Sequence, residues 1–93
     1  REYLLALTKA IQRIQSFGAE ALIISLGLDT LAEDPCAIRR AGFKLFGTDY
    51  LEMGRTIGRG CKIPSVVIQE GGYLMEKVPQ AAADVLIGLM EEL

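Results

Sequence analysis

Two short apolar runs, set apart by a helix-sized stretch, constrain this chain more than any other feature. The first occupies positions 21–26 (ALIISL) and the second positions 65–68 (SVVI). Both have strand length, and neither approaches the ~18 apolar residues that a membrane span needs. A nearly continuous apolar run fits a strand covered on both faces, as in parallel sheets, better than the alternation of a half-exposed strand. Strands that alternate with helices imply right-handed crossovers and a parallel sheet.

The segments around these runs read as helices. Leu4, Leu7, Ile11 and Ile14 recur at three- and four-residue steps, with Lys9, Gln12 and Arg13 on the opposite side and Gly18 as a stop. Between the runs, a long irregular stretch from 28 to 47 precedes a second helix. Thr48 is its expected N-cap, Asp49 and Glu52 sit at its positive end, and Tyr50, Met53 and Ile57 face inward. Gly58, Gly60 and Pro64 are expected to break it. A last helix starts near Pro79 with Ala82, Val85, Leu86 and Leu89 on one stripe. The order is α-β-α-β-α, an α/β fold. Two parallel strands alone leave open edges and partly covered faces, so the expectation is of a unit that needs neighbouring chain.

Composition closes off several functions. With 93 residues the chain is one unit, 1–93, and 51% hydrophobic content excludes a disordered one. Ten Lys+Arg against twelve Asp+Glu, a net charge of −2, without a basic cluster, argue against nucleic acid. Cys36 and Cys61 form no CxxC pair, and no secretory signal or membrane segment stands out. Passive thiols in an intracellular, cytoplasmic setting are expected. Arg1 in place of Met suggests a cut or processed piece. The chain contains no histidine, and so lacks the commonest general base and the commonest metal ligand.

In open parallel α/β sheets, ligands bind beyond the carboxyl ends of the strands. Two loops occupy that place: Gly27, Leu28, Asp29 and Thr30 after the first run, and Glu70, Gly71, Gly72 and Tyr73 after the second. A carboxylate can ligate a metal or act as a base, and a phenol can donate to a developing oxyanion. Paired glycines allow a ligand close to the backbone. Each signal alone also suits a loop cap or a tight turn.

Together, the SLGLDT motif at 25–30, Asp34-Pro35, GFKL at 42–45, Asp49-Tyr50, MGRTI at 53–57 and EGGY at 70–73 resemble the C-terminal part of the zinc-dependent histone deacetylase and acetylpolyamine amidohydrolase superfamily. The details are closer to the acetylpolyamine branch, since class I histone deacetylases tend to carry another glycine where Glu70 stands. The resemblance implies a partial arginase/deacetylase-type fold and an enzyme that hydrolyses N-acetyl amides of acetyl-lysine or acetylpolyamines. Asp29 matches a ligand of the catalytic zinc. Tyr73 matches the residue that polarises the acetyl carbonyl and stabilises the oxyanion. Gly71 and Gly72 would shape the pocket wall, with Glu70 near its rim. Leu31 and the connection over 36–41 depart from the pattern.

The family's other zinc ligands and its acid/base histidines belong to a segment before this one. The expected reading is therefore a deacetylase piece that binds no zinc alone and is silent without the N-terminal part of the catalytic domain. The alternative is a non-catalytic module that associates with another copy of itself. A nucleotide-binding domain is disfavoured, because Gly58-Arg59-Gly60 precedes a strand instead of joining a strand to a helix. Arg39 and Arg40 read as a solvated loop. Glu33 and Asp34 could supplement metal binding at Asp29, although Asp34 before Pro35 suits a turn. Met53, Met75 and Met90 read as core fillers.

Overall fold

A computed structural model describes residues 2–30, 32, 45 and 47–92. The elements are α1 (Glu2–Phe17), β1 (Leu22–Gly27), α2 (Gly47–Gly60), β2 (Ser65–Glu70) and α3 (Val78–Glu91), in the expected order. Leu31, Glu33, Asp34, Cys36, Arg39 and Arg40 lie outside the described residues.

Helix α1 buries Ile11 and packs Tyr3, Leu7 and Ile14 beside it, while Lys9, Gln12 and Arg13 stay exposed. That is the apolar stripe read from the spacing. The helix stops at Gly18, whose N–H donates to the Gln15 carbonyl at 3.1 Å; the Ala19 N–H reaches the Ile14 carbonyl at 3.4 Å. Against α2, the Gln15 side-chain amide donates to the Gly60 carbonyl at 2.8 Å.

Strands β1 and β2 pair in parallel, from Leu22↔Ser65 to Gly27↔Glu70. Successive side chains alternate between the two faces of a strand. Leu22, Ile24, Leu26 and Val67 therefore pack toward the core. Ile23, Val66 and Ile68 point the other way and remain 70%, 59% and 47% exposed. The described elements cover one face: the partly covered sheet expected of two strands alone is what is found, and the covering on both faces that the apolar run suggested is not supplied by them. Ile23 and Val66 are register partners, so the bare surface is continuous across the pair.

Helices α2 and α3 pack closely. Tyr50, Met53 and Ile57 are buried as expected. Thr48 lies inside the helix and exposed, not at its cap, and the helix runs through Gly58 to Gly60. Gly54 and Gly88, by contrast, face a neighbouring backbone. A Cβ at Gly54 would stand 2.2 Å from the Val85 carbonyl oxygen, and one at Gly88 would stand 2.4 Å from that of Leu51. In α3, Pro79 occupies the first turn, and Val78, Ala81, Val85 and Gly88 are buried. The expected stripe is corrected at Leu86, which is exposed, because turning Gly88 toward α2 rotates Leu86 outward. Met53 fills the core, whereas Met75 and Met90 are exposed: one sits in the turn before α3, the other on its outer side. Cys61 is a free, buried thiol, and desolvation pushes its pKa up, consistent with a passive side chain.

Candidate functional site

The parallel register fixes where the two candidate loops emerge. Gly27 and Glu70 are the paired last residues of β1 and β2, so Asp29 and Tyr73 both leave the same end of the sheet. The loops are stitched together by the Leu28 N–H, which donates to the Glu70 carbonyl at 3.1 Å.

The glycine pair adopts backbone that other residues rarely take, with φ +59° at Gly71 and +99° at Gly72. The turn brings Gly71 against the Asp29 carboxylate. A Cβ there would stand 3.0 Å from Asp29 Cγ and 3.2 Å from each carboxylate oxygen. On the other side, a Cβ at Gly27 would stand 3.1 Å from Asp29 Oδ1. The half-buried carboxylate therefore lies in a crease between two strand-end glycines. Gly72 is wedged between Leu28 and Val78, with Leu28 Cβ only 2.9 Å from where its own Cβ would be. Tyr73 follows and is 57% exposed, and Glu70 is exposed at the rim. The structure brings the Asp29 loop and the Gly71–Tyr73 loop together.

Two further residues belong to this end of the sheet. Thr30 donates through its hydroxyl to the Gly27 carbonyl at 3.2 Å, and its Oγ1 lies 2.8 Å from the Tyr50 hydroxyl. The Thr30 carbonyl accepts from the Leu45 N–H at 3.1 Å. Tyr50 is fully buried. From spacing it read only as core; the missed signal is that a buried tyrosine hydroxyl usually finds a hydrogen-bond partner.

A catalytic zinc takes three protein ligands. Among the described residues no group of three His, Cys, Asp or Glu gathers that could hold a metal, and the sequence has no histidine. Asp29 is a chemically suitable donor, but the described residues do not fit zinc by themselves. A hollow of about 550 Å³ lies at the opposite end of β2, among Cys61, Ile63, Pro64, Val67, Leu89 and Met90. It is remote from Asp29 and Tyr73, and its walls are mainly apolar.

Polar loops gathered at the carboxyl end of parallel strands, one carrying a carboxylate and the other a phenol, are the arrangement of α/β enzymes. The Histone deacetylase domain family matches residues 1–89, and the chain belongs to that family. It is 44% identical over 84 residues to the acetylpolyamine amidohydrolase of Mycoplana ramosa, covering 90% of this chain and 23% of that protein. Acetylpolyamine amidohydrolase 2 of Pseudomonas aeruginosa is 43% identical over 83 residues, covering 89% and 23%. The crystal structure of acetylpolyamine aminohydrolase from Burkholderia pseudomallei superposes with a TM-score of 0.83 at 26% identity, covering 94% of this chain and 24% of that one. The two parallel strands and three helices thus match part of the arginase/deacetylase-type fold, and the chain spans about a quarter of the length of these relatives.

Proposed function

We propose that this chain supplies one wall of the active site of a zinc-dependent deacetylase acting on N-acetyl amides of acetylpolyamine or acetyl-lysine type. The observation that carries the reading is the Asp29 carboxylate held against Gly71, in the turn that leads to Tyr73. Family membership and the names of the acetylpolyamine relatives support the choice of substrate class.

In this reading Asp29 is one metal ligand, and the remaining ligands and the general base come from polypeptide outside these 93 residues. Tyr73 donates its hydroxyl proton as a hydrogen bond to the oxygen that gains charge when the amide carbonyl is attacked. A single preorganised donor at that place is commonly worth roughly 10²–10³ in kcat. Gly71 and Gly72 keep side chains out of the crease and let the acyl group approach the backbone, with Glu70 at the entrance. Among the described residues no helix is long and apolar enough to cross a membrane.

The test is complementation. The chain is co-expressed with the part of the Mycoplana ramosa relative that it does not match, and acetylpolyamine and acetyl-lysine substrates are assayed. Activity is expected only in the combination; Tyr73→Phe lowers kcat by ~10²–10³, and Asp29→Asn abolishes stoichiometric zinc. Stoichiometric, sub-micromolar zinc binding by the 93-residue chain alone would overturn the reading.

The bare face of Ile23, Val66 and Ile68 favours a second reading, a module that associates with another copy of itself. It is compatible with the first, and its test is the oligomeric state.

A further inference from the structure

We infer that Tyr50, acting through Thr30, is a positioning residue for Asp29. The inference rests on the reading of Asp29 as a working carboxylate and concerns how that carboxylate is held. Asp29 lies between two anchors. On one side Leu28 is completely buried, and its N–H is bonded to the Glu70 carbonyl of β2 at 3.1 Å. On the other side Thr30 is almost fully buried and carries bonds to three separate places.

A threonine hydroxyl has one proton to donate and lone pairs to accept with. Thr30 gives its proton to the Gly27 carbonyl at 3.2 Å, closing the turn around Asp29. The Tyr50 hydroxyl, 2.8 Å away, is then the donor to Thr30 Oγ1. Accepting that bond polarises the Thr30 hydroxyl and strengthens its own donation. The chain of bonds runs from a buried helix position, through the loop, to the last residue of β1. Its length in sequence is 20 residues from Thr30 to Tyr50, so it ties the loop to α2 and not merely to itself. The Leu45 N–H, bonded to the Thr30 carbonyl at 3.1 Å, adds a backbone tie that no side-chain substitution removes.

Only the hydroxyl is needed for this role, because the ring of Tyr50 is packing. Tyr50→Phe keeps the ring and deletes the donor. Thr30→Val removes the same bond from the other side together with the bond to the Gly27 carbonyl, and Thr30→Ser retains the oxygen. Amide hydrogen exchange and ¹⁵N relaxation of the 93-residue chain report the result. Tyr50→Phe and Thr30→Val are expected to speed exchange at Leu28 and Leu45 roughly three- to tenfold, the factor that loss of one net hydrogen bond implies. The order parameter at Asp29 falls in both variants, while the amides of α2 and α3 that face Gly54 and Gly88 keep wild-type rates. Thr30→Ser restores the wild-type pattern.

Unchanged exchange at Leu28 and Leu45 in both variants would overturn the inference. So would an equal acceleration at every amide, or unfolding of both variants, since either would make the bond a contribution to overall stability only. The measurement involves neither metal nor substrate, so it can fail while the complementation assay succeeds, and the reverse.

Discussion

The α2–α3 pair and the β1–β2 pair are each two elements side by side, and they are held in opposite ways. The helices are locked to each other: Gly54 and Gly88 let two backbones meet, and Arg55 binds Glu91 and Glu52, with Nη2–Oε1 at 3.2 Å and Nη1–Oε1 at 3.0 Å. Arg59 reaches Glu92 at 3.3 Å. The strands are joined by a backbone ladder, but no described element covers the face that carries Ile23, Val66 and Ile68. The helical contact is made backbone to backbone, whereas among the described residues the sheet is covered on one side only. A chain that spans about a quarter of the length of its relatives thus carries a tightly joined helical pair beside a sheet with one apolar face exposed. The candidate site lies at the end of that sheet.

The largest effect should come from breaking the helical lock. Gly54→Ala improves helix propensity by ~1 kcal/mol. Its new methyl, however, would stand 2.2 Å from the Val85 carbonyl oxygen and 3.0 Å from the Leu89 nitrogen. Both are backbone atoms, so no rotamer change relieves the clash and α3 must move away. Overpacking costs about 1–3 kcal/mol even where side chains can adjust; a clash with backbone belongs at the upper end, so after the gain in propensity a net loss of about 2 kcal/mol is expected in urea unfolding. Equal or greater stability would show that the helices are not in this contact.

The same contact marks the limit of what could be read beforehand. Tyr50, Met53 and Ile57 show their common face in their spacing, because a helix repeats along its own sequence. Gly60 read as a breaker and the helix does end there, but Gly58 lies inside it, because a glycine's meaning inside a helix depends on what faces it, and Glu92 near Gly58 is remote in sequence. The bare sheet face was half legible: two strands alone imply partly covered faces, but which face is bare was not, since ALIISL is apolar on both sides whether or not this chain supplies both covers. The pairing of the two loops was legible, since a helix between two strand runs makes them parallel and sends both loops to one end. The bond from Thr30 to Tyr50 was not, because it depends on how α2 packs.

Acid should loosen the helical pair selectively. The hydrogen bond from Arg55, followed by its charge, holds the Glu91 carboxyl below its ordinary value. A carboxylate with a lowered folded-state pKa contributes stability above its unfolded pKa, and the contribution disappears as pH falls through the folded one. The window therefore lies at and below the usual glutamate range. Wild type should lose thermal stability between neutral pH and that window, whereas Arg55→Met should give a flatter acid limb and a lower Tm at neutral pH. Both side chains are partly solvated, so added salt should narrow the gap. Parallel acid limbs in the two proteins would remove this pair from the account of the lock.

The smallest effect on stability, and the sharpest test of the contrast, belongs to the bare sheet face. Ile23→Thr, Val66→Thr and Ile68→Thr together keep β-branched side chains suited to strands and add hydroxyls that water can satisfy if the face is open. Surface substitutions of this kind change stability by ~0.5 kcal/mol or less each, far below the cost expected at Gly54. A combined loss of several kcal/mol in urea unfolding would mean that the face is covered within the chain and that the sheet is as closed as the helical pair. Sedimentation velocity then separates the two ways of finishing the sheet. If copies cover each other, the wild type associates as concentration rises and the triple variant does not. If the polypeptide supplied in the complementation assay is the cover, both stay monomeric alone, and the triple variant loses complementation while retaining its fold.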